Sequence, residues 1–253
     1  MEKIMNSTEQ KFCAVVPVYR HEAASRHVAE ALSATGLAVM LVDDGNTPEG
    51  HAILEQIAAE VPGTHLVTNP VNMGKGGAVV SGLKRAAELG FTHDLQIDAD
   101  GQHDLNAVPL FIKASKKHPN NVISAFPQYD GTVPKAREQG RKITNFWVYV
   151  ETLSTAIPDT MCGCRVYPLE TVLPIASKIT NLRMGFDIEI MVRISWAGIK
   201  MNFYPIKVTY PEDGVSNFRA LHDNIAISAT HTKLVCGMLL RLPILLARKF
   251  KKK

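Results

Sequence analysis

The chain has 253 residues, of which 46% are hydrophobic and 21% charged, with a net charge of +4. These values suit a soluble globular protein with one large domain or two small ones. They exclude a disulfide scaffold, because the four cysteines are few and scattered, and Cys162-Gly-Cys164 lacks the spacing of a zinc site.

All four cysteines are expected as reduced thiols of a cytosolic protein. The first ten residues are polar, without the apolar core of a signal peptide. No uninterrupted apolar run reaches the roughly 20 residues that span a bilayer. Any membrane contact is therefore expected to be peripheral. No nucleic-acid partner is expected, and a homo-oligomer is left open.

In chain order, 12–18 reads as a first buried strand and 23–34 as a helix. A second strand over 37–42 is closed by Asp43-Asp44-Gly45. A helix follows over 49–60, then a third strand over 65–68 and a helix over 76–89. Strand 92–97, helix 105–118 and strand 121–125 complete this half. Near-continuous apolar strands alternating with helices predict a parallel α/β sheet covered on both faces.

After Phe126 the pattern changes. Residues 127–135 read as a polar loop. A helix over 140–155 carries Ile143, Phe146, Trp147, Val150 and Leu153 on one stripe. Another helix covers 184–197, and 200–209 is a strand pair or one long strand. Residues 221–247 are mostly helical, with a break expected near Pro243. The whole chain reads as one domain: a nucleotide half (12–125), an acceptor half (126–218) and C-terminal helices with a basic tail (219–253).

Three strand ends carry the chemistry. The first ends in Val16-Pro17-Val18-Tyr19-Arg20-His21-Glu22 and the second in Val42-Asp43-Asp44-Gly45. The fourth ends in Asp98-Ala-Asp100-Gly-Gln102. Open α/β sheets bind ligands beyond the carboxyl ends of their strands, so these segments build one crevice. A Tyr19 ring can stack on a base, and Asp43 can accept hydrogen bonds from it.

In an extended segment Asp98 and Asp100 point to the same side. They can then face one hard cation, Mg²⁺ or Mn²⁺, which binds through carboxylates and substrate phosphates. Asn72-Met73-Gly74-Lys75-Gly76-Gly77 opens a helix. Its N-terminus favours anions, and Lys75 adds positive charge. It is neither a Walker loop nor a Rossmann fingerprint.

In this order the four motifs resemble family 2 glycosyltransferases, and most of all the polyprenyl-phosphate mannose and glucose synthases. The resemblance covers roughly residues 12 to 218. It implies a GT-A fold, a nucleotide-sugar donor, a divalent metal and inversion at the anomeric carbon. It places Pro17, Tyr19, Glu22 and Asp43 at the nucleoside, and Asp98 and Asp100 at the metal–diphosphate with Gln102 as a further ligand. Asp159-Thr-Met-Cys-Gly163-Cys-Arg165, Gly185-Phe186-Asp187-Ile188-Glu189 and Arg141-Lys-Ile-Thr144 resemble acceptor-side segments, with Arg141 meeting an acceptor phosphate.

Some positions depart from the family. A later loop that typically reads Arg-x-x-Gly-x-Ser-Lys has Pro211 and Asn217 in place of the Arg and Lys. The Ser-Arg after the fifth strand is replaced by Ser124-Ala-Phe-Pro. With these cations absent, a hydroxyl acceptor becomes a serious candidate. It would need a general base, and the resemblance puts Asp187 where family 2 enzymes acting on hydroxyls often carry their catalytic acid.

The expected activity is transfer of a hexose from a UDP- or GDP-sugar to a lipid or lipid-linked acceptor. Asp187, Asp100 and Arg141 would be catalytic. A polyprenyl-phosphate synthase proper, a nucleotidyltransferase and a non-catalytic nucleotide-sugar-binding partner are the alternatives. The apolar segment 234–247, interrupted by Arg241 and Pro243 and ending in Arg248, Lys249 and Lys251–Lys253, suits a helix on an anionic membrane. That would be the inner face, reached from the cytoplasm.

Overall fold

The computed structural model describes residues 9–129, 131, 133–209 and 219–250. Its strands are β1 (Phe12–Val18), β2 (Ala38–Asp44), β3 (Thr64–Asn69), β4 (His93–Gln96), β5 (Val122–Tyr129), β6 (Arg165–Pro168) and β7 (Met201–Val208). They form one seven-stranded sheet in the order β3-β2-β1-β4-β6-β5-β7. β1 to β4 are parallel, β6 runs antiparallel to both β4 and β5, and β7 is parallel to β5.

The helices are α1 (Glu22–Ala34), α2 (Pro48–Glu60), α3 (Lys75–Glu88), α4 (Val108–Lys117), α5 (Lys135–Thr152), α6 (Leu169–Ala176), α7 (Phe186–Ala197) and α8 (Ala220–Phe250). Val28 and Leu32 of α1, Leu54 and Ile57 of α2 and Phe111 of α4 pack on one face of the sheet. Leu83 of α3, Val172 of α6 and Ile190 of α7 pack on the other. Both faces of the central strands are therefore covered, which is why they read as continuous apolar runs. A third cluster joins Val148 of α5, Ile188 and Trp196 of α7, and Leu234 and Met238 of α8.

α1 and α2 carry the chain outward from β1 to β3, and α3 brings it back to β4 at the other side of β1. β1 and β4 thus flank the switch point, and open α/β sheets bind their ligands beyond the carboxyl ends of such strands.

Several expectations need correcting. β5 runs through the expected polar loop to Tyr129. Pro127 is tolerated there because β6 pairs with β5 only at Ile123 and Ser124, leaving that edge of the later residues without a ladder. β6 and α6 were not expected. α5 starts at Lys135 rather than 140, and its apolar stripe is split: Ile143, Phe146 and Trp147 are exposed, Val150 and Leu153 pack against the third cluster, and Thr144, Val148, Glu151 and Thr152 are buried. α8 continues through Pro243 without a break. Pro243 and Leu239, four residues before it, lie on the side facing solvent, where water can replace the lost hydrogen bond. All four cysteines are free. Pro211 and Asn217 lie outside the described residues.

Candidate active site

β1 and β2 end side by side, with Val18 opposite Asp43. Asn46 stitches the two ends together. Its amide donates to the Val18 carbonyl (3.0 Å) and accepts from the Arg20 N–H (2.8 Å). Arg20 holds a left-handed backbone (φ 61°), which is strained for a residue with a side chain. Pro17 and Tyr19 are half-buried here, and the Arg20 guanidinium lies 5.1 Å from the Tyr19 ring centre. Glu22 rests on the first turn of α2, where a Cβ on Gly50 would lie 2.5 Å from its carboxylate.

Asp43 does not face the crevice openly. It is 2% exposed. Oδ1 accepts from the Asn46 backbone (2.9 Å) and side chain (2.7 Å), and Oδ2 lies 2.6 Å from His51 Nδ1. Burial works against ionisation, but these hydrogen bonds hold the carboxyl below its ordinary pKa. The half-exposed group at this position is His51, which the sequence did not flag.

Asp44, its neighbour, organises the glycine loop. Its carboxylate accepts from Asn69 (2.9 Å), Asn72 (3.1 Å) and the backbone N–H groups of Met73 (3.0 Å) and Gly74 (2.9 Å). The loop is thereby fixed where α3 begins. A Cβ on Gly76 would overlap the Phe186 ring, so only glycine lets α7 approach. That approach brings Asp187 to Lys75.

Lys75 Nζ lies 2.8 and 3.1 Å from the two oxygens of Asp98, and 2.9 Å from Asp187 Oδ2. Burial alone would lower the Lys75 pKa. Asp187 and Asp98 outweigh it and raise the pKa, so the amine is charged. Asp187 Oδ1 accepts from the fully buried Arg165 (2.6 Å), which also donates to the Tyr167 hydroxyl and the Thr160 carbonyl. Burial would raise the Asp187 pKa, but Lys75 and Arg165 bring it below the ordinary value.

Asp98 and Asp100 do converge, by a different route from the one expected. β4 ends at Gln96, and a turn over residues 99–100, not an extended pleat, brings the two acids together. Burial and the Asp98 charge push the Asp100 pKa up. Asp100 thus sits beside a like charge that a bound cation would offset. Asp100 also accepts from the Gln102 N–H (3.0 Å). Among the described residues no group of three His, Cys, Asp or Glu side chains could hold a metal. A hard cation often binds through one or two carboxylates plus further oxygen ligands, a set to which Asp98 and Asp100 could contribute.

Arg141 is ion-paired with Asp159, whose other oxygen accepts from the N–H groups of Met161 and Cys162 (2.9 and 2.7 Å). This pair anchors α5 to the segment that leads into β6. His103 is buried, with Nε2 3.5 Å from the Cys162 sulfur. Burial lowers its pKa despite Asp98 and Asp100 nearby.

The glycosyl transferase family 2 model matches residues 13–172, a stretch that contains every strand end described above. This chain belongs to glycosyl transferase family 2.

Among curated members, a dolichyl-phosphate beta-glucosyltransferase of Trichomonas vaginalis is 28% identical over 67% of the chain and 53% of its own length. The chain thus spans about half of that relative. An undecaprenyl-phosphate mannosyltransferase of Micrococcus luteus is 24% identical over 70% of the chain and 74% of its own length.

Glucosyl-3-phosphoglycerate synthase from Mycobacterium tuberculosis has a similar fold. Its complex with phosphoglyceric acid superposes with a TM-score of 0.67 at 16% identity, covering 90% of this chain and 80% of that one. Its complex with Mn²⁺, UDP-glucose and phosphoglyceric acid superposes at 0.60, again at 16% identity, covering 92% and 79%. The fold is that of the GT-A glycosyltransferases.

Proposed function

We propose that this family 2 member is an inverting hexosyltransferase that takes a nucleotide sugar as donor and a lipid-linked phosphate as acceptor at a membrane surface. The observation that carries the reading is the meeting of Asp98, Asp100 and Lys75 beyond β4, beside the Pro17–Tyr19–Asp43 crevice. Asp98 and Asp100, with Gln102, would hold Mg²⁺ or Mn²⁺. Bound there, the ion supplies positive charge to the departing nucleoside diphosphate.

The chain's own residues do the rest. The Lys75 ammonium, at the start of α3, adds a second positive charge toward the diphosphate. Tyr19, Glu22 and the His51–Asp43 pair form the nucleoside end. Arg165 is too buried to meet substrate, and it holds Asp187 in place.

Asp187 was the expected general base. Both of its oxygens are taken by cations, and its pKa is depressed, so it accepts a proton poorly. This geometry favours an acceptor that arrives ionised. A phosphate does so and needs no base. The acceptors named for the Trichomonas and Micrococcus relatives are polyprenyl phosphates, which supports the same choice. Asp187 then positions Lys75 and Arg165. Arg141, held by Asp159, would be a cation on the acceptor side.

The test is a thermal-shift panel of nucleoside diphosphates and nucleotide sugars with and without Mn²⁺. A ligand at about 100 times its Kd adds roughly 2.7 kcal/mol of stability. A metal-dependent rise with a uracil or guanine nucleotide is expected. No rise with any nucleotide would refute the donor assignment.

A further inference from the structure

Among the described residues, Ile143 and Phe146 of α5 face away from the domain, and Trp147 beside them is partly covered by α8. Ile143 is 62% exposed, Phe146 58% and Trp147 39%. Phe146 and Trp147 stack edge to face, with ring centres 5.6 Å apart. An apolar face of this kind marks a contact surface.

α8 lies beside it and has two faces. Asp223, Thr230, His231, Leu234, Met238 and Leu245 are buried against the domain. Near its end, Arg248 donates to the carbonyls of Ser195 (3.4 Å) and Trp196 (2.8 Å). The other side, toward the C-terminus, carries Leu239, Leu240, Ile244 and Leu246, 57%, 84%, 56% and 40% exposed.

By length and composition α8 could cross a membrane. A helix tied to the domain from Asp223 to Arg248 cannot do so without tearing away. Lying in the membrane plane uses its free half and keeps its buried half. The two helices are also fixed to each other. The Trp147 ring is 6.4 Å from that of His231, and His231 Nδ1 is 2.6 Å from Glu151 of α5.

We infer that Ile143, Phe146 and Trp147 of α5 enter the lipid interface together with the free face of α8, seating this side of the domain on an anionic membrane. The inference rests on the lipid-acceptor reading and adds a second, internal helix to the membrane contact. Charge favours lipid over a second copy of the chain. Lys135, Arg137, Arg141 and Lys142 lie in the first two turns of α5, against Glu138, which pairs with Lys142, and Asp159, which pairs with Arg141; Asp223 is the single acid of α8, which ends in Arg248 and Lys249. Two copies meeting here would oppose like charges, whereas anionic headgroups complement them. The seated helix α5 also carries Arg141, next to the candidate active site, so an acceptor headgroup would lie close to the reacting atoms.

The chain has two tryptophans, Trp147 and the 9%-exposed Trp196, so Trp147 can report depth. The intact protein is mixed with vesicles of brominated phosphatidylglycerol at low salt. Fluorescence quenching is expected, and it should disappear in Trp147→Phe. A Trp196→Phe variant should keep it. Ile143→Ser with Phe146→Ser should weaken vesicle partitioning by at least roughly tenfold.

Vesicle binding without Trp147 quenching would overturn the inference and leave the lipid-acceptor reading standing. No vesicle binding, in a protein that still binds nucleoside diphosphate with Mn²⁺, would overturn it and leave the donor reading standing. A dimer in solution that Phe146→Ser abolishes would assign the face to a second copy and also overturn it. Quenching in a protein that binds no nucleotide would support the docking face and refute the donor reading instead.

Discussion

No β-carbon fits at Gly163, because the carboxylate of Asp98 lies against it. The loop before β6 is therefore a wall that sets where this acid points. Gly163→Ala should push Asp98 out of line with Asp100 and weaken Mn²⁺-dependent nucleoside diphosphate binding by at least roughly tenfold. Isothermal titration with and without Mn²⁺ measures this. Unchanged metal-dependent affinity would show that Asp98 is not positioned by this contact.

Asp100→Ala separates function from stability. Asp100 accepts a single hydrogen bond from Gln102 N–H and sits beside a like charge. Its loss should change stability by no more than about 1 kcal/mol. The increment that Mn²⁺ gives to nucleotide binding should vanish. A variant that keeps the increment would remove Asp100 from the metal site.

The Asp43–His51 pair makes a pH prediction. The folded pKa of Asp43 lies below its ordinary 3.8, so its contribution to stability is present above that value and lost as pH falls. The folded pKa of His51 lies above its ordinary 6.5, chiefly through its hydrogen bond to Asp43. That contribution is full below 6.5 and is lost as pH rises through the folded value. The pair is thus strongest between the two ordinary values. Titration of His51 by NMR should give a pKa above 6.5, returning toward 6.5 in Asp43→Asn. An unmoved His51 in the variant would mean that Asp43 does not hold it.

Asp187→Asn distinguishes positioning from base catalysis. It leaves the fully buried Arg165, and Lys75, each short of an anion. Breaking a buried pair in this way costs about 3–5 kcal/mol. A clear loss in urea stability is expected, together with weaker nucleotide binding through a misplaced Lys75. A general base would behave differently: stability and donor affinity would hold while turnover fell by the hundredfold or more typical of a lost base. That pattern would restore the hydroxyl-acceptor reading.

Most of residues 12–125 was legible in the sequence because buried parallel strands write themselves as apolar runs. β1, for instance, runs over the expected residues 12–18. Residues 126–218 were less legible. β6 is four residues long and antiparallel, too short for a period to show, so Arg165 showed as a motif and not as a buried strand residue.

The α5 stripe had the right period for a helix. Periodicity alone does not say whether an apolar face meets protein or something else, and here the polar Thr144, Glu151 and Thr152 face inward. Asp43 and Asp44 were told apart only by the structure. One turns to His51, the other to the backbone of the glycine loop, and two adjacent acids carry no sequence mark of that difference. Asp98 and Asp100 were expected on an extended strand end, whereas β4 stops at Gln96 and a turn over residues 99–100 follows.

The most direct measurement is acceptor-dependent release of nucleoside diphosphate. The intact protein is incubated with a panel of UDP- and GDP-hexoses, Mn²⁺ and a polyprenyl phosphate in anionic vesicles. One donor is expected to give stoichiometric nucleoside diphosphate and hexose-labelled lipid, with both lost in Asp100→Ala. No release from any donor by a folded, vesicle-bound protein, or release that ignores the lipid phosphate, would contradict the assignment.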